Sequence, residues 1–189
     1  MLDDRRLRPV LESVPLTSRE GPFHRYVLHR YVALAAERRT PLHILTGEWS
    51  RRTGGRFNYP GLFRTAYVAG DERTAQAEAE RIIAPYVHVP IRGALQKVLD
   101  LTRTDVLERL GTSEDQLGGA WRILNAKGGE APSQRLGHAA YRSERIEAIA
   151  YRSTMWAGGL CLAVFPERLV SGSWLEVEDP DGILRERVP

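Results

Sequence analysis

The chain has 189 residues, with one cysteine, Cys161, and two lysines, Lys97 and Lys127, among its 27 basic residues. A single thiol excludes a disulfide within the chain and any multi-cysteine zinc site. A chain of this length buries about 70% of its unfolded surface, so it needs no such staple. Long apolar runs are also missing. The longest, Leu160 to Phe165, falls far short of the ~20 residues that span a bilayer. Asp3, Asp4, Arg5 and Arg6 precede Leu7 where a secretory signal would carry an apolar core, so the expected location is cytoplasmic. Histidine pairs at i, i+4 are absent among residues 24, 29, 43, 88 and 138, which excludes a helical zinc face. There is no Walker loop, no dinucleotide glycine fingerprint, no internal repeat and no low-complexity linker.

What is present is arginine. The net charge is +3 and the pI near 9.2, yet the arginines are scattered among 24 acids. That interleaving describes a solvated surface rather than a nucleic-acid footprint. With 42% hydrophobic and 27% charged residues the chain is globular, and its length suits one domain.

Periodicity predicts an α+β domain with a mixed β core and surrounding helices. Leu7, Val10, Leu11 and Val14 mark a helix before Pro15. His24 to Leu28 suits a strand and the alanines after Val32 a helix, while Thr46 to Gly61 is loop-like, with Gly54-Gly55 and Pro60-Gly61 as breakers. Ala66 to Ala69 is a short strand, followed by a helix that Asp71 caps and that runs to about Ala84, before Pro85. Val87 to Ile91 predicts a strand that Pro90 would confine to an edge. Thr104 or Asp105 opens a helix ending at Gly111. Ser113 and Gln116 form a capping box ahead of Leu117, Trp121 and Leu124 on one face. Pro132 opens a helix carrying Leu136 and Ala140, with Ile146 beyond, and three strands then follow at Ile149–Tyr151, Leu160–Phe165 and Trp174–Val177.

Four residues stand out chemically. On a helical wheel Glu78 lies about 60° from Ala75 and about 40° from Ile82, beside the apolar face, whereas Glu80 points to the opposite side. A carboxylate against the core needs a partner or a task. Arg56 follows two glycines, and a planar guanidinium on flexible backbone suits a phosphate or pyrophosphate. Tyr67 is an aromatic within a strand, and Ser153 sits in the turn after another. Cys161, between Leu160 and Leu162, reads as inert core.

The order of these residues resembles a known family. Gly54-Gly55-Arg56-Phe57-Asn58-Tyr59-Pro60-Gly61, then Ala66-Tyr67-Val68-Ala69, Thr74-Ala75 and Glu78, are similar to the N-terminal signature of the RES domain, named for its arginine, glutamate and serine. Glu147 to Ser153, followed by Gly158-Gly159 and Leu160 to Pro166, resemble its second half. The resemblance implies one RES-like domain over 1–189, explicit in segments 54–80 and 147–166. Three departures stand in its loops: Tyr59 where the family commonly has proline, Arg152 before the serine where proline is again common, and bulky Trp156. The interval from Arg56 to Tyr67 is one residue longer than usual.

The resemblance further implies an ADP-ribosyltransferase-like fold and the toxin of a bacterial toxin–antitoxin pair. NAD+ would be the substrate, with no further cofactor and no metal, and an Xre-type helix-turn-helix antitoxin would block the site. Arg56 and Tyr67 would bind substrate, and Glu78 and Ser153 would be catalytic. Cleaving the nicotinamide–ribose bond builds positive charge on the ribose, which a carboxylate at Glu78 can stabilise. Ser153 would orient the nicotinamide end. It has no His–Asp arrangement to make it a nucleophile. A mono-ADP-ribosyltransferase acting on protein and a non-enzymatic binding domain are the alternative readings.

Overall fold

The computed structural model describes residues 2–38, 43–79, 84–179, 182, 184 and 186–189. It opens with α1 (Asp4–Ser13), whose Asp3 cap accepts the Arg6 N–H at 3.0 Å. β1 (Thr17–Glu20) and β2 (Phe23–Leu28) follow, then α2 (His29–Arg38), so both expectations for the ambiguous His24–Ala36 stretch hold in succession. The expected loop from Thr46 to Gly61 contains a short helix, α3 (Glu48–Thr53). Its stability is tertiary: Glu48 binds Arg51 and Arg64, and the Ser50 hydroxyl donates to the Gly47 and Thr65 carbonyls.

β3 (Ala66–Ala69) matches the sequence reading, and α4 (Glu72–Ala79) begins where Asp71 accepts the Thr74 N–H at 2.8 Å. The expected continuation of α4 includes Glu80 and Ile82, which lie outside the described residues, and Ala84 is not helical.

The expected edge strand at Val87–Ile91 is instead part of β4 (Tyr86–Asp100), which lies inside the sheet. Pro90 is tolerated because its backbone turns away from β2. Its carbonyl accepts the Glu178 N–H at 2.9 Å, on the other side, so the missing N–H leaves no gap in the β2 ladder. Helices α5 (Thr104–Arg109), α6 (Glu114–Gly118), α7 (Trp121–Ala126) and α8 (Pro132–Arg142) come next. Leu117 and Leu124 do not share one helix: the chain breaks at Gly118-Gly119, leaving Leu117 buried and Leu124 exposed. Strands β5 (Ala148–Arg152), β6 (Leu160–Val164), β7 (Trp174–Val177) and β8 (Arg187–Val188) complete the described elements.

The sheet is mixed: β4 and β5 are parallel, and the other pairings are antiparallel. Its strands run β2-β3-β6-β5-β4-β7-β8, and β4 also returns to pair with β2. The circuit β2-β3-β6-β5-β4 is therefore closed, its narrowest seam being the single pair His24–Ala69. Strand alternation sorts the side chains into two cores. One holds Val68, Ala148, Ala150, Leu162 and Val164 with Phe23, Ile91 and Leu95. The other faces the helices and packs Ile149, Ala163 and Leu99 against Leu7, Leu11, Leu110 and Leu136. Each of these buried leucines contributes roughly 1.5–3 kcal/mol.

Candidate functional site

Tyr67 on β3, Tyr151 on β5 and Cys161 on β6 point to the helix-bearing face: Tyr67 stands opposite Ala163, and Cys161 opposite both Ala69 and Tyr151. Beyond the helices this face opens into a cleft of about 320 Å³, lined by Arg25, Arg56, Tyr67, Glu78, Tyr151 and Cys161, with Trp49 and Trp121 at its sides. That volume lies at the small end for ligand sites. A second cavity of about 300 Å³ adjoins it, sharing Arg56 and Tyr151 and reaching Ser153, Thr154, Arg152 and Glu114.

The loop carrying Arg56 is bolted down. Gln134, buried on α8, donates to the carbonyls of Gly55 at 2.9 Å and Asn58 at 3.2 Å. Asn58 donates to Ser50 O at 2.7 Å and accepts the Tyr67 hydroxyl at 2.8 Å. The Tyr67 oxygen in turn accepts the Phe57 N–H at 2.9 Å. Two glycines permit this closeness: a Cβ on Gly55 would sit 2.5 Å from the Tyr67 hydroxyl, and one on Gly137 would sit 1.8 Å from Phe57 O. Tyr67 therefore acts first as a clamp on the loop, with its ring forming part of the cleft wall. Burial pushes its phenol well above the ordinary range, so it stays protonated.

Glu78 lies half-buried on the last turn of α4 and accepts the Ser153 hydroxyl at 2.7 Å, across 75 residues of sequence. Ser153 Oγ accepts the N–H groups of Met155 and Trp156 at 3.0 and 3.1 Å, which directs its proton at the carboxylate. Glu78 Oε2 has no protein partner among the described residues. The Cys161 thiol lies 3.9 Å from Oε1. Desolvation, reinforced by Glu78, pushes this thiol up to about 12, so it remains an inert S–H, although it borders the cleft as well as the core.

The structure thus brings Glu78 and Ser153 into contact and sets Arg56 and Tyr67 in the wall of the same cleft. Of the departures, Arg152 pairs with Glu114 at 3.1 Å, Trp156 is exposed beneath Arg73 at 5.4 Å, and Tyr59 is half-buried. Arg25, Gln134 and Tyr151 were not legible as site residues. Arg25 donates to Ile44 O at 3.0 Å, and burial lowers its pKa without discharging it. Among the described residues, no cluster of three or more metal-ligating side chains occurs, and no helix is long and apolar enough to cross a membrane.

The fold and site define an α+β domain whose open cleft combines arginine, tyrosine and glutamate, with a serine of the adjoining cavity hydrogen-bonded to that glutamate. The chain belongs to the RES domain family, whose model matches residues 27–181. Among solved structures it is similar to a chain of the M. tuberculosis MbcT–MbcA toxin–antitoxin complex. That likeness has a TM-score of 0.67 and 24% identity, covering 92% of this chain and 90% of that one. No curated protein matches the sequence.

Proposed function

We propose that this protein is the toxin of a toxin–antitoxin pair and consumes NAD+ by cleaving its nicotinamide–ribose bond. The observation that carries the reading is the Glu78–Ser153 contact, 2.7 Å long, beside a cleft that also holds Arg56. Glu78 presents a free carboxylate oxygen to the cleft. As nicotinamide leaves, the ribose takes on oxocarbenium character, and a carboxylate already in place stabilises that charge without reorganising. The Ser153 hydrogen bond fixes the direction of the carboxylate. Arg56, with Arg25 of β2 lining the same cleft, supplies positive charge for the pyrophosphate.

Water or orthophosphate completes the reaction, giving ADP-ribose or its phosphate; an amino-acid side chain as acceptor makes the same site a protein ADP-ribosyltransferase. Membership of the RES family and the toxin–antitoxin setting of the similar structure support the biological reading. The partner we propose is an antitoxin of the Xre helix-turn-helix type that closes the cleft, and the site of action is the cytoplasm.

The test is incubation of purified protein with NAD+ labelled in the adenylate half. Released nicotinamide with free ADP-ribose or ADP-ribose phosphate is the expected result. Label fixed on protein favours transfer instead, and unchanged NAD+ overturns the reading.

A further inference from the structure

Three arginines near the site are paired with acids. Arg152 pairs with Glu114, while Arg51 and Arg64 share Glu48. Arg56 is held differently. Its Nη2 donates to Thr154 Oγ1 at 2.7 Å, and its guanidinium carbon lies 5.4 Å from the centroid of the Tyr151 ring. Both partners are uncharged, since burial keeps the Tyr151 phenol protonated. The guanidinium is therefore fixed in direction while its positive charge stays available, and its other N–H groups have no protein acceptor among the described residues. Arg56 and Tyr151 border both cavities, so this fixed group stands where the two meet. Thr154 also follows Ser153 directly, so one turn aims both the arginine and the carboxylate.

We propose that Thr154 is a positioning residue for the pyrophosphate of the substrate, acting through Arg56; this rests on the NAD+ reading above. A side chain with four rotatable bonds in a Gly-Gly loop loses considerable freedom when it grips an anion. A neutral hydroxyl that holds it beforehand lowers that cost, whereas a carboxylate at the same place would cancel the charge. The hydroxyl is the active part of the residue. The methyl packs near α6, with Thr154 Cγ2 3.5 Å from where a Gly118 Cβ would be.

Thr154→Val keeps the shape and removes the hydroxyl; Thr154→Ser restores the hydroxyl without the methyl. ADP-ribose, which carries the pyrophosphate but no nicotinamide, is titrated by calorimetry into each protein and into Arg56→Ala with and without Thr154→Val. The expected result is about fivefold weaker binding for Thr154→Val, near-normal binding for Thr154→Ser, and no further loss from Thr154→Val in the Arg56→Ala background. In turnover, KM for NAD+ rises by a similar factor while kcat holds. The Arg56 Nε–H resonance should shift in Thr154→Val and return in Thr154→Ser. Unchanged affinity in Thr154→Val, or an equal loss in both backgrounds, overturns the proposal. Wild type that binds ADP-ribose but leaves NAD+ intact overturns only the reaction; wild type that does not bind ADP-ribose removes the anchoring role of Arg56 and this proposal with it.

Discussion

Glu147 and Glu78 are both carboxylates set against apolar structure, and they are used in opposite ways. Glu147 is 0% exposed, and four donors surround it: the N–H groups of Gln96, Lys97 and Val170, and the Ser173 hydroxyl. It ties β4 to the segment between β6 and β7, and neither of its oxygens is left for a ligand. Glu78 is half-buried, holds one hydroxyl, and leaves an oxygen to the cleft. The saturated carboxylate organises the sheet, and the unsaturated one is available for chemistry. Burial alone does not mark a functional acid; incomplete satisfaction beside a cavity does.

The largest effect should come from opening the saturated clasp. Glu147→Ala takes the carboxylate away from three part-buried N–H groups and the buried Ser173 hydroxyl, leaving only the Gln96 N–H a second acceptor, Ser173 Oγ at 3.1 Å. A loss of about 3–5 kcal/mol is expected, on the order of 10 °C in Tm, measured by thermal and urea unfolding. Glu78→Gln should leave the unfolding transition within about 0.5 kcal/mol of wild type. Equal destabilisation by the two variants would break the comparison.

Next in size is the open side of the site. Arg56→Lys keeps the charge but loses the planar fork, so affinity for NAD+ should fall roughly 10- to 100-fold while that for nicotinamide stays level. Titration of both ligands decides it, and unchanged NAD+ affinity would make Arg56 an ordinary loop residue.

The smallest effect concerns a third kind of carboxylate, Glu48 on α3. Hydrogen bonds from Arg51 and Arg64 hold it down at about 2, from an ordinary value of 4.5. A depressed folded pKa stabilises the native state above the unfolded value and loses that contribution as pH falls. The wild type should therefore lose a small part of its stability between pH 4.5 and about 2. In Glu48→Gln that part of the acid slope should be missing; an identical slope would show that the arginine cluster contributes nothing to folding.

The sequence carried those elements whose signals are local. β3 is a short apolar run between a loop and Gly70-Asp71, and α4 begins at a cap visible as Asp71 and Thr74. β1 and α3 were illegible for the converse reason. Thr17-Ser18-Arg19-Glu20 has no apolar alternation and exists through its pairing with β4, while α3 depends on Thr65 and Arg64 from outside the helix. Periodicity truncates β4 because Pro90 and Gly93 resemble strand breakers. In the fold Pro90 faces away from the β2 ladder, and Gly93 makes room for β7, where a Cβ would come within 2.5 Å of Trp174 O.

Of the site, Glu78 showed itself as a carboxylate beside an apolar helix face. Arg56, Tyr67 and Ser153 gained weight through the order of residues that the RES resemblance supplied. The contact between Glu78 and Ser153 spans 75 residues, beyond the reach of periodicity. Gln134 left no trace in the sequence, being a polar residue on the buried face of an amphipathic helix whose reason is a loop 79 residues earlier.

On the proposal above, an incompletely satisfied Glu78 drives NAD+ consumption by a toxin. The most direct measurement is cellular NAD+ after induction of wild type, of Glu78→Gln, and of wild type with its cognate antitoxin. Wild type should lose NAD+ and stop growing. The Glu78→Gln enzyme should turn over roughly 100- to 1000-fold more slowly, leaving both growth and NAD+ intact, and the antitoxin should protect equally well. Arrest at constant NAD+, or equal arrest by Glu78→Gln, would contradict the account.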